Sequence, residues 1–189
     1  MLGAIVICDG CGNEELSGSC SCSKCSHILD ITYMNFFEIL CVEEKFQLSK
    51  HQLKDNFIKK LQLFHPDLYC NKSAAEMDIA TKNSSIVSRA YNMLLDPVSR
   101  ARYLIEIKNI PIPNESGFIT EVLEWNEKIE DTSSVLELQQ LVEEVNRMLS
   151  IYKSQMEKDF SDMEYEKAAA SYAKVKFFMR VLDSAKKRL

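Results

Sequence analysis

At several places in this chain, among them Asn35 with Glu38, Ser49 with Gln52, Ser73 with Glu76 and Ser161 with Glu164, a small polar residue is followed three places later by Glu or Gln. At that spacing the first side chain can accept a hydrogen bond from the backbone of the third helical residue while the Glu or Gln reaches back, so each stretch reads as a helix start. Apolar residues then recur at intervals of three and four. After Ser49 they are Leu53, Phe57, Leu61 and Phe64, a stripe along one helix face. Leu48 and Leu53 are placed to form a hydrophobic staple across the same start. With 5 Gly and 4 Pro in 189 residues, there is little from which to build the tight turns of an all-β fold. The expected fold class is all-α, and a 46% hydrophobic content is enough to bury a core.

The helical pattern sorts into regions. Residues 1–30 hold most of the cysteines and few large apolar groups, too few to fold on a core alone. Residues 33–108 carry the helix of the Leu/Phe stripe, whose other face bears Lys50, Lys54, Lys59 and Lys60. A third helix follows Ser73 through Ile79, Ile86, Ala90, Tyr91 and Leu94 and stops before Asp96-Pro97, and "VSRARYLIEI" continues as a short helical piece. "NIPIPNESG" is a boundary by its prolines, glycine and polar residues. Residues 116–189 then give three amphipathic patterns, about 117–130, 134–158 and from Ser161 onward, expected to form an antiparallel three-helix bundle with Val122, Trp125 and Ile129 in its core.

Bulk properties exclude some classes. A formal net charge of -5 argues against a nucleic-acid partner, since phosphate binding wants a basic surface. No apolar run approaches the roughly 20 residues of a membrane span. The opening "MLGAIVI" is short for a signal peptide and lacks the arginines of a transit peptide.

Five of the seven cysteines lie in "CDGCGNEELSGSCSCSKC". Cys8-x2-Cys11 and Cys22-x2-Cys25, ten residues apart, offer four thiolates in two short loops, the donor set of a structural zinc ion. Metal would supply the folding energy this segment lacks. Gly12 follows the second cysteine, where a left-handed residue helps the loop turn its N–H groups toward sulfur. Cys20 and His27 are spare ligands that could substitute for one of the four. A redox dithiol is the rival reading, but the βαβ context of such a pair is missing.

"KKLQLFHPDLYC" breaks a good helix. Pro66 has no N–H to give and disfavours the α region at His65, so the chain must turn there. His65-Pro66-Asp67 could be no more than a helix stop. In context, however, a basic helix, His-Pro-Asp and a helix ending in "AYNMLLDPVSRARYL" resemble the J-domain of DnaJ-type co-chaperones, over about Tyr33 to Leu104. The resemblance implies that His65, Pro66 and Asp67 trigger ATP hydrolysis by a DnaK-type heat-shock chaperone. It makes Lys50, Lys54, Lys59 and Lys60 the docking face.

A J-domain followed by a small three-helix bundle is similar to the HscB family of J-proteins, which serve iron–sulfur cluster assembly. "GFITEVLEWNEKIED" and "AKVKFFMRVL" resemble the two helices that bind the cluster scaffold protein, and "CDGCG…CSKC" looks like the tetracysteine zinc module of some eukaryotic members. Carried over by position, the scaffold-facing residues are Ile119, Thr120, Leu123, Glu124 and Glu127, joined by Lys176 and Phe177. Thr120 stands where the family more often has a larger apolar residue. Leu123 and Phe177 are expected to meet on one exposed apolar patch. The resemblance implies a non-enzymatic protein with structural zinc, a DnaK-type chaperone and an iron–sulfur scaffold as partners, and a mitochondrion or mitochondrial remnant as its compartment, with the cytosol as the alternative. A J-protein for general unfolded clients is the rival binding function, but no Gly/Phe-rich linker or β-rich substrate domain follows the J-domain.

Overall fold

The computed structural model describes residues 5–16 and 18–189. The all-α expectation holds: the described chain is built on α-helices, with one small two-stranded hairpin near the N-terminus. It divides into two compact units. One comprises residues up to Glu44 with Leu48–Ser99, the other Lys45–Gln47 with Arg100–Leu189.

In the first unit, β1 (Ile5–Ile7) pairs antiparallel with β2 (Glu14–Leu16), Ile5 opposite Leu16. Then come α1 (Phe36–Ile39), α2 (Lys50–Leu63), a 3-10 turn (Pro66–Tyr69) and α3 (Ala74–Leu95). The sequence foretells the starts. Asn35 with Glu38 and Ser73 with Glu76 form complete capping boxes, and Ser49 accepts from the Gln52 backbone. Helices α2 and α3 form a hairpin. Leu53 and Phe64 bury fully at either end of the α2 stripe, and Phe57 stacks on Tyr91 of α3 with ring centroids 4.1 Å apart. Each such fully buried side chain contributes about 1.5–3 kcal/mol.

The cysteine segment packs with this hairpin. Asn83 of α3 is wholly buried. Its amide nitrogen donates to the Leu29 carbonyl at 2.8 Å, and its amide oxygen accepts from the Ile31 N–H at 3.1 Å. One side chain thus satisfies two backbone groups of the link that follows the cysteine loops.

The second unit receives α4 (Pro97–Ile107) from Arg100 onward. After a 3-10 turn (Glu115–Phe118) come α5 (Ile119–Asp131), α6 (Val135–Ser161) and α7 (Tyr165–Lys186). Ser134 and Glu137 close a capping box at the head of α6. Ser161 does not cap α7 as expected. The α6 ladder runs on through it, with the Asp162 N–H donating to the Lys158 carbonyl, and its hydroxyl donates back to the Glu157 carbonyl at 2.9 Å. Met163, at φ 59, makes the reversal instead.

Helices α6 and α7 are the closely packed pair, and α5 leans on α7. Phe178 is the hub: Trp125 meets it edge-on at 5.3 Å and Tyr152 stacks on it at 5.4 Å. Val122, Trp125 and Ile129 are buried as expected. Lys174 donates to Glu121 at 2.9 Å and to the Tyr152 hydroxyl at 3.1 Å, joining all three helices. Buried Asp159 accepts from Ser171 and Gln155, both at 2.7 Å. From the loop between α1 and α2, Phe46 enters this unit, stacking on Phe160 at 4.7 Å beneath the Arg100 guanidinium.

Candidate functional site

Three surfaces bear the predicted residues. The first is the cysteine cluster, built from two loops of one design. In the first loop the Cys8 N–H donates to the Asn13 carbonyl and the Gly12 N–H to the Cys8 carbonyl, both at 2.8 Å. In the second the Cys22 N–H donates to the His27 carbonyl at 2.8 Å and the Ser26 N–H to the Cys22 carbonyl at 2.9 Å. Gly12 and Ser26 occupy the same left-handed position, φ 70 and 58. The first loop takes glycine there, which reaches that region at no steric cost, while the second strains a serine into it. Gly10 is needed for a different reason: a side chain there would meet the His27 ring at 2.9 Å. Glu15 laces the loops together by accepting from Asn13 at 2.7 Å and from the Ser23 N–H and hydroxyl at 2.8 and 2.7 Å. The Ser23 bonds hold its carboxyl down to about 2.

The four sulfurs of Cys8, Cys11, Cys22 and Cys25 lie within 4.8 Å of one another, with Cys8–Cys25 and Cys11–Cys22 each at 3.6 Å. Tetrahedral ligands at a Zn–S distance of about 2.3 Å stand about 3.8 Å apart, so the donor set fits the ion. The crowding itself calls for a cation. A His27 backbone N–H favours the Cys25 thiolate, yet the neighbouring sulfurs, Cys11 foremost, push that thiol up to about 12. Neither spare ligand joins the set. His27 faces Glu76 at 3.5 Å, and Cys20 lies 3.0 Å from the Lys60 ammonium.

The second surface is the tip of the α2–α3 hairpin. Helix α2 ends at Leu63 because Phe64, wholly buried, anchors the chain and Pro66 cannot continue it. His65 sits at the cap of the 3-10 turn, its Nδ1 accepting from the Asp67 N–H at 3.4 Å. The Tyr69 hydroxyl closes the loop on the Leu63 carbonyl at 3.1 Å. The side chains of His65 and Asp67 remain 58% and 88% exposed, so a locally fixed backbone holds out two polar groups. Lys50, Lys54 and Lys59 are exposed along α2. Lys60 is not part of that surface: half-buried, it turns inward to Cys20. Burial works against its charge, but the Cys20 and Cys41 sulfurs more than offset this and its pKa rises. Ile58, Leu61, Gln62, His65 and Leu68 outline a pocket of about 370 Å³ at the tip. Ile58 and Leu68 lie off the core stripe, the signal by which this apolar patch could have been read.

The third surface is on α5. Ile119, Thr120, Leu123, Glu124 and Glu127 are all exposed, Leu123 at 55%. Phe177 departs from expectation: at 3% exposure it is a core residue, edge-on to Phe118 at 5.8 Å and to Phe178 at 5.1 Å. Helix α7 has apolar residues on several faces, and the one that holds Phe177 is met by Phe118 and faces the α5 residues Val122 and Asn126. Lys176, its neighbour, is exposed.

Residues 35–103 match the DnaJ domain, and residues 114–186 match the HSCB C-terminal oligomerisation domain. A co-chaperone protein HscB homolog of Acinetobacter baylyi is 30% identical over 159 residues, which cover 82% of this chain and 90% of that protein. The chain belongs to the HscB family of J-domain co-chaperones. The iron-sulfur cluster co-chaperone protein HscB of Mus musculus is 26% identical over 185 residues, covering 94% of this chain and 76% of its own length. The crystal structure of human co-chaperone protein HscB shares the fold, with a TM-score of 0.83 at 23% identity over 97% of this chain and 98% of that one.

Two supporting residues of this HscB-family chain escaped sequence reasoning. Asn83 and Lys174 act across 52 to 54 and 53 residues of chain, and no local pattern marks either.

Proposed function

We propose that the protein is a non-enzymatic co-chaperone of iron–sulfur cluster assembly. It binds the cluster scaffold protein through α5, passes it to a DnaK-type chaperone, and stimulates that chaperone's ATPase with His65, Pro66 and Asp67. The observation that carries this reading is the union, in one HscB-family chain, of an exposed His-Pro-Asp tip with a separate helical unit whose α5 presents Ile119, Thr120 and Leu123 to solvent. Relatives named as iron–sulfur cluster co-chaperones support it.

Each group has a physical role. Exposed Lys50, Lys54 and Lys59 steer an acidic chaperone surface toward α2, a long-range effect on encounter rate. Ile58 and Leu68 add apolar contact beside the loop. Asp67 offers a carboxylate for a charge-assisted hydrogen bond to an arginine of the partner. On α5, Leu123 and Ile119 supply the apolar centre of the scaffold contact and Glu124 and Glu127 its polar rim. Phe177 supports that surface from beneath, and Lys176 lies at its edge. Cys8, Cys11, Cys22 and Cys25 hold a structural zinc ion, which supplies cross-linking of the two loops and, with four thiolates bound, has no open position for catalysis. The compartment is a mitochondrion or mitochondrial remnant.

A titration of the scaffold with Leu123→Ala tests the α5 assignment. Scaffold affinity is expected to fall by about 1–3 kcal/mol, with stability changed by no more than about 0.5 kcal/mol. Unchanged affinity would remove α5 from the interface.

A further inference from the structure

Two further cysteines and a lysine meet in the first unit, outside the four-sulfur cluster. The Cys20 Sγ lies 3.0 Å from the Lys60 ammonium, the contact that draws Lys60 away from the exposed lysines of α2. Asn56, one turn earlier on the same face of α2, donates from its side-chain amide to the carbonyls of Leu40 and Cys41, at 2.8 and 3.3 Å. It holds the Cys41 turn against the stretch of α2 that carries Lys60, and the Cys41 sulfur comes within hydrogen-bonding reach of the same ammonium. Cys41 is exposed and Cys20 half-buried. Both stand on irregular backbone, Cys41 in a left-handed turn at φ 51, so neither sulfur is fixed by a helix. Two thiols that share one ammonium, one of them open to solvent, are the parts of a peroxide-reactive pair. They supply an attacking sulfur, a resolving sulfur and a proton donor for the leaving group.

We propose that Cys41 and Cys20 form a reversible dithiol–disulfide site that reacts with hydroperoxides, distinct from the metal-fitting cysteines, with Lys60 as its proton donor. Cys41 attacks because its sulfur is the exposed one. The sulfur bonds to a peroxide oxygen and the O–O bond breaks. The departing oxygen takes a proton from Lys60, which regains one from the Cys41 thiol. Cys41 becomes a sulfenic acid, and the hydroperoxide becomes an alcohol, or water when it is hydrogen peroxide. The Cys20 sulfur then attacks the Cys41 sulfur. The S–S bond forms, the S–O bond breaks, and the hydroxyl leaves as water with the Cys20 proton. The two sulfurs lose two electrons and the hydroperoxide gains them. A thiol reductant reverses the bond by exchange. The raised pKa of Lys60 keeps it charged, and so able to give a proton, at neutral pH. The disulfide ties the segment that follows β2 to the turn between α1 and α2.

The test needs neither chaperone nor scaffold, so it stands or falls apart from the proposed function. The reduced full chain, supplied with zinc, is treated with an equal amount of hydrogen peroxide, alkylated, and mapped by mass spectrometry without reduction. A Cys20–Cys41 disulfide is expected as the main product, with Cys70 still alkylated and zinc retained. In Cys20→Ser, Cys41 should stop at the sulfenic acid and be trapped by dimedone. Lys60→Met should slow the loss of the Cys41 thiol roughly tenfold relative to Cys70 in the same chain. Circular dichroism checks each fold, and Cys20→Ser, which exchanges one small side chain for another, keeps the test valid if Lys60→Met unfolds. Oxidation of Cys41 no faster than that of Cys70, pairing of Cys41 with Cys8, Cys11, Cys22 or Cys25, or zinc lost in step with the oxidation would each overturn the proposal.

Discussion

The cysteine loops and the C-terminal bundle are held together by different physics. Around the loops the buried cluster is small: Cys8, Cys22 and Leu29. The hairpin's large apolar residues face water, with Ile5, Ile7 and Leu16 each more than 60% exposed. Order there comes from four sulfurs, paired backbone bonds and the Glu15 clasp. The bundle is the reverse. Val175, Phe178 and Ala185 are wholly buried and Trp125 nearly so, and polar links such as Lys174 to Glu121 only trim the packing. Two loops with so little core are of the kind that a bound metal would stabilise, whereas a packed bundle holds by burial.

Substitution separates the two. Cys11→Ser should abolish binding of about one zinc per chain and remove the metal's contribution, about 10–16 kcal/mol in comparable small zinc modules. Residues 5–30 should then exchange their amides freely while α5–α7 remain helical. Metal analysis and hydrogen exchange on the same sample check this, and a full complement of zinc in the variant would contradict it. The mirror experiment is Phe178→Ala, which should cost the bundle about 3–5 kcal/mol and leave zinc content untouched.

Asn83→Ala probes the seam between the loops and α3. It leaves the Leu29 carbonyl and the Ile31 N–H without their partner, at about 1–3 kcal/mol for each group. Hydrogen exchange should rise first at residues 29–31 with zinc still bound. Release of zinc at the same step would mean that the loops depend on α3 as well as on metal.

The smallest effect belongs to Lys174. Burial disfavours its charge, but bonds to Glu121 and Tyr152 outweigh that and raise its pKa above 10.5. The stabilisation is fully present below pH 10.5 and is lost as pH rises through the folded value. The link is partly solvent-screened, so it should be worth no more than about 1 kcal/mol. The melting-temperature difference between the parent and Lys174→Met should be constant up to pH 10.5 and shrink above it. A difference that instead grows above pH 10.5 would place the stabilisation elsewhere.

Much of this was legible in the sequence, for local reasons. Capping at Asn35, Ser49 and Ser73 depends on residues three apart, and the break at Phe64 follows from Pro66. The metal-fitting sulfurs come from two short loops, and the α5 core residues fall on one helical face. What was not legible depends on which neighbour arrives. Periodicity could not tell that Lys60 would turn to Cys20, 40 residues earlier, while Lys59 beside it stayed in water. Nor could it place Phe46 in the second unit, since its partner Phe160 lies on α6. Helix α7 offers more than one apolar face, so the burial of Phe177 was decided by Phe118 and α5 rather than by its own sequence. The inner leg of the α6–α7 reversal likewise hid from a Ser161-Glu164 spacing, because the α6 ladder does not stop at the serine.

The central claim is that the hairpin tip drives a chaperone while the bundle carries its client. Steady-state ATP hydrolysis by a DnaK-type chaperone, measured with the scaffold protein present and His65→Gln in place of the parent chain, tests it most directly. His65 is exposed, so the variant should keep its helical signal and its scaffold affinity. It should nevertheless give no stimulation where the parent chain stimulates strongly. Equal stimulation by the parent and His65→Gln would contradict the account.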